Sequence, residues 1–265
     1  ASRGLGDVYK RQADVWFDSG CASFASHYNE GLNFDQIIEK YYPMSWITEG
    51  EDQIRGWFSS LANVGTVVTG KAPYNQVLFQ GFVMAKDGVK MSKSLGNGID
   101  GTTAIERYGS DASRYYLLSK VAPETKLNFD EDELKQIFGY FNTLENIFKF
   151  ANSYLAEHEL RHTSALDFLG LSSEDSWILY KLNKTIEDFT HHLENFKTNL
   201  AFKTIEEFLV NDFSKTYLKL VKDRCEERDE NLLLIINEVL KKSLVMLGCA
   251  VPFKTEELYQ NSSLA

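Results

Sequence analysis

The sequence has no CxxC pair, no initiating Met and no apolar run long enough to cross a membrane. Its 3 cysteines, Cys21, Cys225 and Cys249, stand far apart. That spacing excludes a metal knuckle and a disulfide framework, so no metal site is expected, and it suits a reducing, cytoplasmic compartment. The longest apolar runs, such as Leu232–Ile236, fall well short of the ~20 residues a spanning helix needs, so no membrane partner is expected. Basic charge is also scarce: the formal net charge is −10, which excludes a general polyanion-binding surface. Any nucleic-acid contact must come from a local basic patch.

What is present is ordinary for a globular chain. Across 265 residues, 43% are apolar and 25% charged, enough for one large core or two smaller ones. Ala1–Gln12 shows neither periodicity nor a signal-type apolar centre and reads as a leader foreign to the fold.

The next part is mixed. "DVWFDSG" (Asp14–Gly20) and "SWITEG" (Ser45–Gly50) read as short strands closed by glycine turns. Between Gln53 and Thr69, Ile54, Trp57, Phe58, Leu61, Val64 and Val68 recur at helical spacing. "NQVLFQGFVM" (Asn75–Met84) is a strand interrupted by Gly81. Strand, helix, strand predicts a parallel crossover unit, in which ligands bind beyond the carboxyl ends of the strands. Glu49-Gly50 and a loop bearing Lys90 and Lys93 fall at such ends.

Beyond Asn97 the pattern turns helical. Thr103–Glu106 has capping-box spacing and opens a short helix, and Ser110–Val121 is a second. Leu134, Ile137, Phe138, Phe141, Leu144, Phe148, Ala151 and Leu155 form one apolar stripe. Ser172–Phe189, Asn199–Lys222 and Asn231–Leu247 read as further long helices, the last stopped by Pro252. The expected fold is therefore α/β followed by all-α. The expected segments are residues 13–122 and a helical bundle over 123–265.

The loop "GVKMSKSLGN" (Gly88–Asn97) holds two cations three residues apart among small residues. Read alone, Lys90 and Lys93 are solvated surface lysines or a phosphate gate. Its "KMSKS" (Lys90–Ser94) resembles the signature loop of the class I aminoacyl-tRNA synthetases. "EGEDQIRGWFSSL" (Glu49–Leu61) and "DVWFDSG" resemble the isoleucyl type in particular. "LVNDFSKTYLKLVKDR" and "VMLGCAVPFKTEELYQ" resemble the anticodon-binding domain of the isoleucyl, valyl, leucyl and methionyl subgroup. The resemblance covers about residues 13–265, with its motifs in the family's order.

It implies a partial Rossmann-like catalytic domain with the lysine loop, followed by an anticodon-binding helical bundle. It implies activation of isoleucine by ATP, with Mg2+, and transfer to isoleucine tRNA. Lys93 would then stabilise the phosphates in the transition state, with Lys90 assisting and Met91, Ser92 and Ser94 shaping the loop at the nucleotide. Gly50, Asp52 and Gln53 would meet the adenosine and adenylate, Glu49 the isoleucyl-adenylate, and Trp16 and Trp57 the isoleucine side chain. Each has a plainer alternative: Asp52 as a helix N-cap, Glu49 as a solvated strand-end carboxylate, both tryptophans as core. Lys215, Lys219 and Lys222, extended by Arg224 and Arg228, form a candidate tRNA-phosphate stripe. Its plainer alternative is a solvated face paired with Asp223, Glu226 and Glu227.

No His-x-Gly-His sequence occurs among the 5 histidines. The family's amino-terminal half and editing insert are likewise absent from this sequence. Ser45, Ile54 and Gly101 depart from the family's usual residues. The expectation is a carboxyl-side portion, inactive by itself, whose partner is the amino-terminal half of the same enzyme. The alternatives are a valyl- or leucyl-type synthetase and a shortened, non-catalytic tRNA-binding protein.

Overall fold

The computed structural model describes residues 15–92, 94–155, 170–227 and 229–264. The chain divides into two compact units. The first holds residues up to Phe82 together with Pro123–Lys126, and the second holds Val83–Ala122 and Leu127–Ala265.

The described part of the first unit opens with helices α1 (Val15–Gly20), α2 (Ala22–Ala25) and α3 (Phe34–Tyr41). Asn33 caps α3 in a full capping box with Gln36. Strand β1 (Ile47–Gly50), a 3-10 turn (Glu51–Arg55), helix α4 (Trp57–Thr69) and strand β2 (Val77–Gln80) follow. β1 and β2 pair in parallel, Ile47 opposite Val77 and Gly50 opposite Gln80, so the expected crossover unit is present. Its small core is Ile47, Phe58 and Leu61, over which Trp57, Tyr74 and Phe79 pack.

Two expectations change here. The segment at Asp14–Gly20 is not a strand: its described part, Val15–Gly20, is helical. Gly20 lies so close to α4 that a Cβ would stand 2.9 Å from Ser60 O and from Val64 Cγ2. The Trp57 indole also donates to Ser19 O at 2.9 Å, satisfying a carbonyl at the end of α1. The helix expected from Gln53 begins only at Trp57, because Gly56 breaks it from the turn before. Ile54, left in the turn, is exposed, and so is Val68 near the end of the helix. Gly81 ends β2 where Pro123–Lys126 returns: its amide donates to Pro123 O at 2.8 Å, and a Cβ would collide with the Thr125 carbonyl.

The second unit starts with β3 (Val83–Met84), the lysine loop, α5 (Gly101–Tyr108) and α6 (Ser110–Ser119). Strand β4 (Leu127–Asn128) pairs in parallel with β3. The long α7 (Glu131–Leu155), α8 (Ser173–Glu194) and α9 (Thr198–Glu207) come next. A π-register helix (Phe208–Tyr217) leads into α10 (Leu218–Leu220) and α11 (Lys222–Glu226), then α12 (Glu230–Gly248) and α13 (Pro252–Gln260). One core unites them through Tyr115, Leu144, Phe202, Phe213, Leu233 and Leu247. The architecture is α/β followed by all-α.

The details correct four expectations. Asp100, not Thr103, caps α5, accepting from the Thr102 and Thr103 amides at 3.0 and 3.4 Å; its carboxylate reaches the helix start first. Phe138 leaves the apolar stripe of α7 at 39% exposure, while Tyr140 is buried. The helix expected over Asn199–Lys222 changes register at Phe208 and breaks at Val221. Pro252 not only follows α12 but opens α13 at its first position, where a missing N–H costs nothing.

Candidate functional site

In the first unit the carboxyl end of β1 carries Glu49 and Gly50, and the 3-10 turn carries Asp52 and Gln53. Glu49 Oε2 accepts from the Gly50 amide at 3.2 Å. A Cβ on Gly50 would stand 2.6 Å from Asp52 Oδ1, so glycine is what lets this carboxylate fold back over the strand end. Gln53 donates from Nε2 to Asp52 Oδ2 at 3.0 Å and accepts on Oε1 from the Trp57 amide at 3.1 Å. Gln53, not Asp52, therefore satisfies the first amide of α4, and the N-cap alternative for Asp52 does not hold. Asp52 stays exposed.

Gly56 gathers the aromatic side. A Cβ there would lie 2.8 Å from Gln53 Oε1 and 3.1 Å from Trp16 Cη2. Trp57 is half-buried and Trp16 is 46% exposed, so neither is a fully packed core residue. The turn thus brings together Gly50, Asp52 and Gln53, and sets Trp16 and Trp57 beside Gln53.

In the second unit the lysine loop rises from a tight turn. The Ala85 amide donates to Val89 O at 2.9 Å and Gly88, at φ +78, donates to Ala85 O at 2.8 Å. An isolated antiparallel bridge joins Met84 to Lys90. Lys86 ties this turn to the first turn of α7, at 2.9 Å from Asp130 and 3.5 Å from Asp132. Its hydrogen bond to Asp130 raises the Lys86 ammonium above its ordinary pKa and lowers the Asp130 carboxyl.

The loop then closes on itself. Asn97 Oδ1 accepts from the Ser92 amide at 2.9 Å and Asn97 Nδ2 donates to Lys90 O at 3.2 Å. The Ser92 and Ser94 hydroxyls bond at 2.9 Å, and Ser92 Oγ accepts from the Leu95 amide at 3.2 Å. Gly96 adopts φ +61. At Gly98 an added Cβ would sit 3.1 Å from Met91 Cβ. Met91 and Asn97, with Lys86, Asp100, Arg107 and Asp130, border a cavity of about 660 Å³. Lys93 lies outside the described residues. Sequence reading gave no role to Asn97, Lys86 or Asp130; the "LGN" that closes the loop was the signal for the first.

On the bundle, Lys215, Lys219 and Lys222 are exposed. Lys219 and Lys222 rim a groove floored by Ile147, Phe150 and Leu218. Lys215 donates to Asn211 at 3.2 Å, and Lys222 stands 3.8 Å from Glu226. Arg224 is turned inward, away from the stripe expected of it: it binds both oxygens of Asp175 and reaches Asp229 at 2.7 Å. Those bonds raise its pKa. Arg228 lies outside the described residues. Among the described residues, no group of three His, Cys, Asp or Glu side chains is placed to hold a metal ion. No described helix is long and apolar enough to cross a membrane.

Residues 6–130 match the family model of class I tRNA synthetases (I, L, M and V), and residues 175–265 match the anticodon-binding domain of tRNA ligases. The chain belongs to the class I tRNA synthetases. Among curated relatives of this synthetase, the isoleucine–tRNA ligase of Pyrobaculum aerophilum is 41% identical over 256 residues, 93% of this chain and 26% of the relative. That of Methanothermobacter thermautotrophicus is 38% identical, over 94% of this chain and 24% of the relative. The synthetase chain therefore spans about a quarter of the length of these relatives. Among solved structures, the Agrobacterium radiobacter LeuRS–tRNA–LeuAMS ternary complex superposes over 93% of this chain and 30% of its own, with a TM-score of 0.75 at 20% identity. Mycobacterium tuberculosis methionyl-tRNA synthetase with methionyl-adenylate covers 89% of this chain and 47% of its own, with a TM-score of 0.72 at 19% identity. These two likenesses establish the fold.

Proposed function

We propose that this synthetase chain is part of an isoleucine–tRNA ligase, with catalytic residues in 13–122 and anticodon-reading residues in 123–265. The observation that carries the reading is the 41% identity to an isoleucine–tRNA ligase over 256 residues that include both segments. In the reaction, the isoleucine carboxylate attacks the α-phosphorus of ATP, pyrophosphate leaves, and a ribose hydroxyl at the end of isoleucine tRNA then displaces AMP from the acyl carbon.

Within that reading Lys93 and Lys90 meet negative charge that builds on the phosphates as pyrophosphate departs. Met91, Ser92 and Ser94 shape the loop around the nucleotide. Gly50 allows close approach to the adenosine, Asp52 accepts from its ribose hydroxyls, and Gln53 and Glu49 meet the adenylate and the isoleucine end. Trp16 and Trp57 supply an apolar wall for the side chain. Such a wall discriminates weakly against an amino acid one methylene smaller, a limit for which synthetases of this kind are themselves the usual illustration. Magnesium would supply charge neutralisation to the nucleotide when bound; among the described residues no group of three His, Cys, Asp or Glu side chains fits it, and no step here is routed through it. Lys215, Lys219, Lys222 and Arg228 face the tRNA backbone. The setting is the cytoplasm, and the rest of the catalytic fold comes from further residues of the same protein.

The test is exchange of labelled pyrophosphate into ATP by the full-length protein containing this chain, with isoleucine, valine and leucine in parallel. Fast exchange with isoleucine supports the reading. Faster exchange with valine or leucine moves it to those branches. No exchange with any of them, together with tight tRNA binding, leaves a non-catalytic tRNA-binding protein.

A further inference from the structure

We infer that Asn97 is a positioning residue for adenylate formation: its carboxamide clamps the lysine loop at Lys90 and Ser92. This rests on the proposed role of the loop in activating isoleucine. The observation is a ring closed by one side chain. Oδ1 takes the Ser92 N–H at 2.9 Å, and Nδ2 gives to the Lys90 C=O at 3.2 Å. The two groups it holds lie on either side of Met91, so the clamp fixes the backbone that carries Lys90 into the loop.

The orientation of the amide is set by its partners. A backbone N–H only donates and a carbonyl only accepts, so Oδ1 must face Ser92 and Nδ2 must face Lys90. No other side chain of this length carries a donor and an acceptor on one rigid plane. Aspartate keeps the acceptor but turns a carboxylate oxygen toward the Lys90 carbonyl. Alanine loses both bonds. Glutamine is one methylene too long for a ring this tight.

Two neighbours make room for the clamp. Gly96, at φ +61, turns the chain so that Asn97 points back into the loop. Gly98 keeps the space beside Met91, where a Cβ would come within 3.1 Å of Met91 Cβ and 3.3 Å of Met91 Sδ. The clamp is therefore built into the local sequence. A loop that must meet charge appearing only in the transition state gains from being set beforehand, because reorganisation at that moment is avoided.

The experiment uses the full-length protein with Asn97→Ala and Asn97→Asp. It reads isoleucine-dependent pyrophosphate exchange, Tm, and hydrogen exchange at the Ser92 amide. We expect Asn97→Ala to lower kcat on the order of tenfold, the scale of one or two missing hydrogen bonds. The KM for isoleucine and the Tm should stay put, and the Ser92 amide should exchange faster. Asn97→Asp should keep the Ser92 amide protected and lose less than alanine does. Should alanine prevent folding, the aspartate variant decides by kcat against Tm: a fall in kcat at unchanged Tm supports the clamp, and an unchanged kcat, or a fall matched by a fall in Tm, overturns it. A kcat equal to that of the unaltered protein, or a fall in kcat matched by a fall in Tm with the Ser92 amide unaffected, overturns the positioning role. Absence of exchange in the unaltered protein instead overturns the underlying reading of the loop, so the two failures are told apart.

Discussion

Arg224 grips Asp175 with two parallel bonds, Nη1 to Oδ1 at 3.0 Å and Nη2 to Oδ2 at 2.9 Å. Asp175 is fully buried, and it also accepts from Tyr217 at 2.7 Å. The same arginine binds Asp229, the cap of α12, so one guanidinium links the starts of α8 and α12. Burial alone would push the Asp175 pKa up, but the Arg224 and Tyr217 bonds outweigh it and hold the carboxyl below its ordinary value. A carboxyl depressed in the folded state stabilises above its unfolded pKa of about 3.9 and loses that contribution as pH falls through its lower folded value. Urea unfolding of the chain should therefore show stability falling in that acid range. Asp175→Asn should flatten this fall and cost about 3 kcal/mol at neutral pH, because it leaves a guanidinium and a buried phenol short of their partner. An unchanged acid limb in the variant would assign the pH dependence to other carboxyls.

Cys225 and Cys249 should separate in their reactivity. Cys225 is 0% exposed, and burial pushes its thiol up to about 11. At pH 8 it is therefore almost wholly protonated and shielded, while the nucleophile is the thiolate. Cys249 is exposed, with its thiol raised by local desolvation and bonded to Met246 O at 3.1 Å. An aromatic disulfide reagent should titrate Cys249 in the native chain well before Cys225, which should react only on unfolding. Early labelling of Cys225, located by mass spectrometry, would contradict the packing around α11.

Gly50→Ala tests the strand-end cradle without removing any charged group. The new methyl would stand 2.6 Å from Asp52 Oδ1, and the exposed carboxylate can swing away, giving up only its solvent-facing bond from Gln53 Nε2. The expected result is a Tm within a degree or two of the parent, since surface changes rarely exceed about 0.5 kcal/mol. In the full-length enzyme the KM for ATP should rise several-fold, because the proposed ribose partner has been displaced. A variant with an unchanged KM for ATP would remove Asp52 from the nucleotide site.

Why some of this could be read from the chain, and some not, comes down to range. The burial of Leu134, Ile137, Phe141, Leu144 and Phe148 follows from a 3.6-residue period that local sequence displays in full. The β1–α4–β2 crossover follows from strand, helix and glycine signals within one short segment. Val15, Trp16 and Phe17 carry strand propensity, yet Gly20 against Ser60 and Trp57 against Ser19 make the segment a helix, and those contacts are long-range. Arg224 read as one more cation on a basic stripe because its partner Asp175 lies 49 residues away. The register change at Phe208–Tyr217 is equally hidden, since Phe208, Leu209, Phe213 and Tyr217 are buried in a pattern that an ordinary helix also fits. The residue types of the candidate site stand in the sequence itself; the bonds that hold Gln53 and Asn97 in place do not, because closing a ring is a property of the folded backbone.

The placement of Arg224 also changes what a salt titration should show. Lys219 and Lys222 are exposed at the rim of the groove over Phe150, while Arg224 spends its donors inside the bundle. Removing one cation that pairs with a phosphate should flatten the dependence of log affinity on log salt by about 0.7 to 0.9, according to strand character. On the proposed reading, Lys219→Ala with Lys222→Ala in the full-length protein should thus weaken tRNA binding and reduce the salt slope by between about one and two, with little change in Tm. Arg224→Ala should do the reverse: it should lower Tm sharply, because Asp175 is left charged and buried, and leave the slope of the remaining folded protein nearly unchanged. Filter binding at salt concentrations from about 50 to about 200 mM, beside thermal unfolding, separates the two. If the arginine variant instead flattens the slope at unchanged Tm, Arg224 belongs to the tRNA face and its bonds to Asp175 and Asp229 open on binding. If the double lysine variant leaves the slope untouched, the groove over Phe150 is not where the backbone runs.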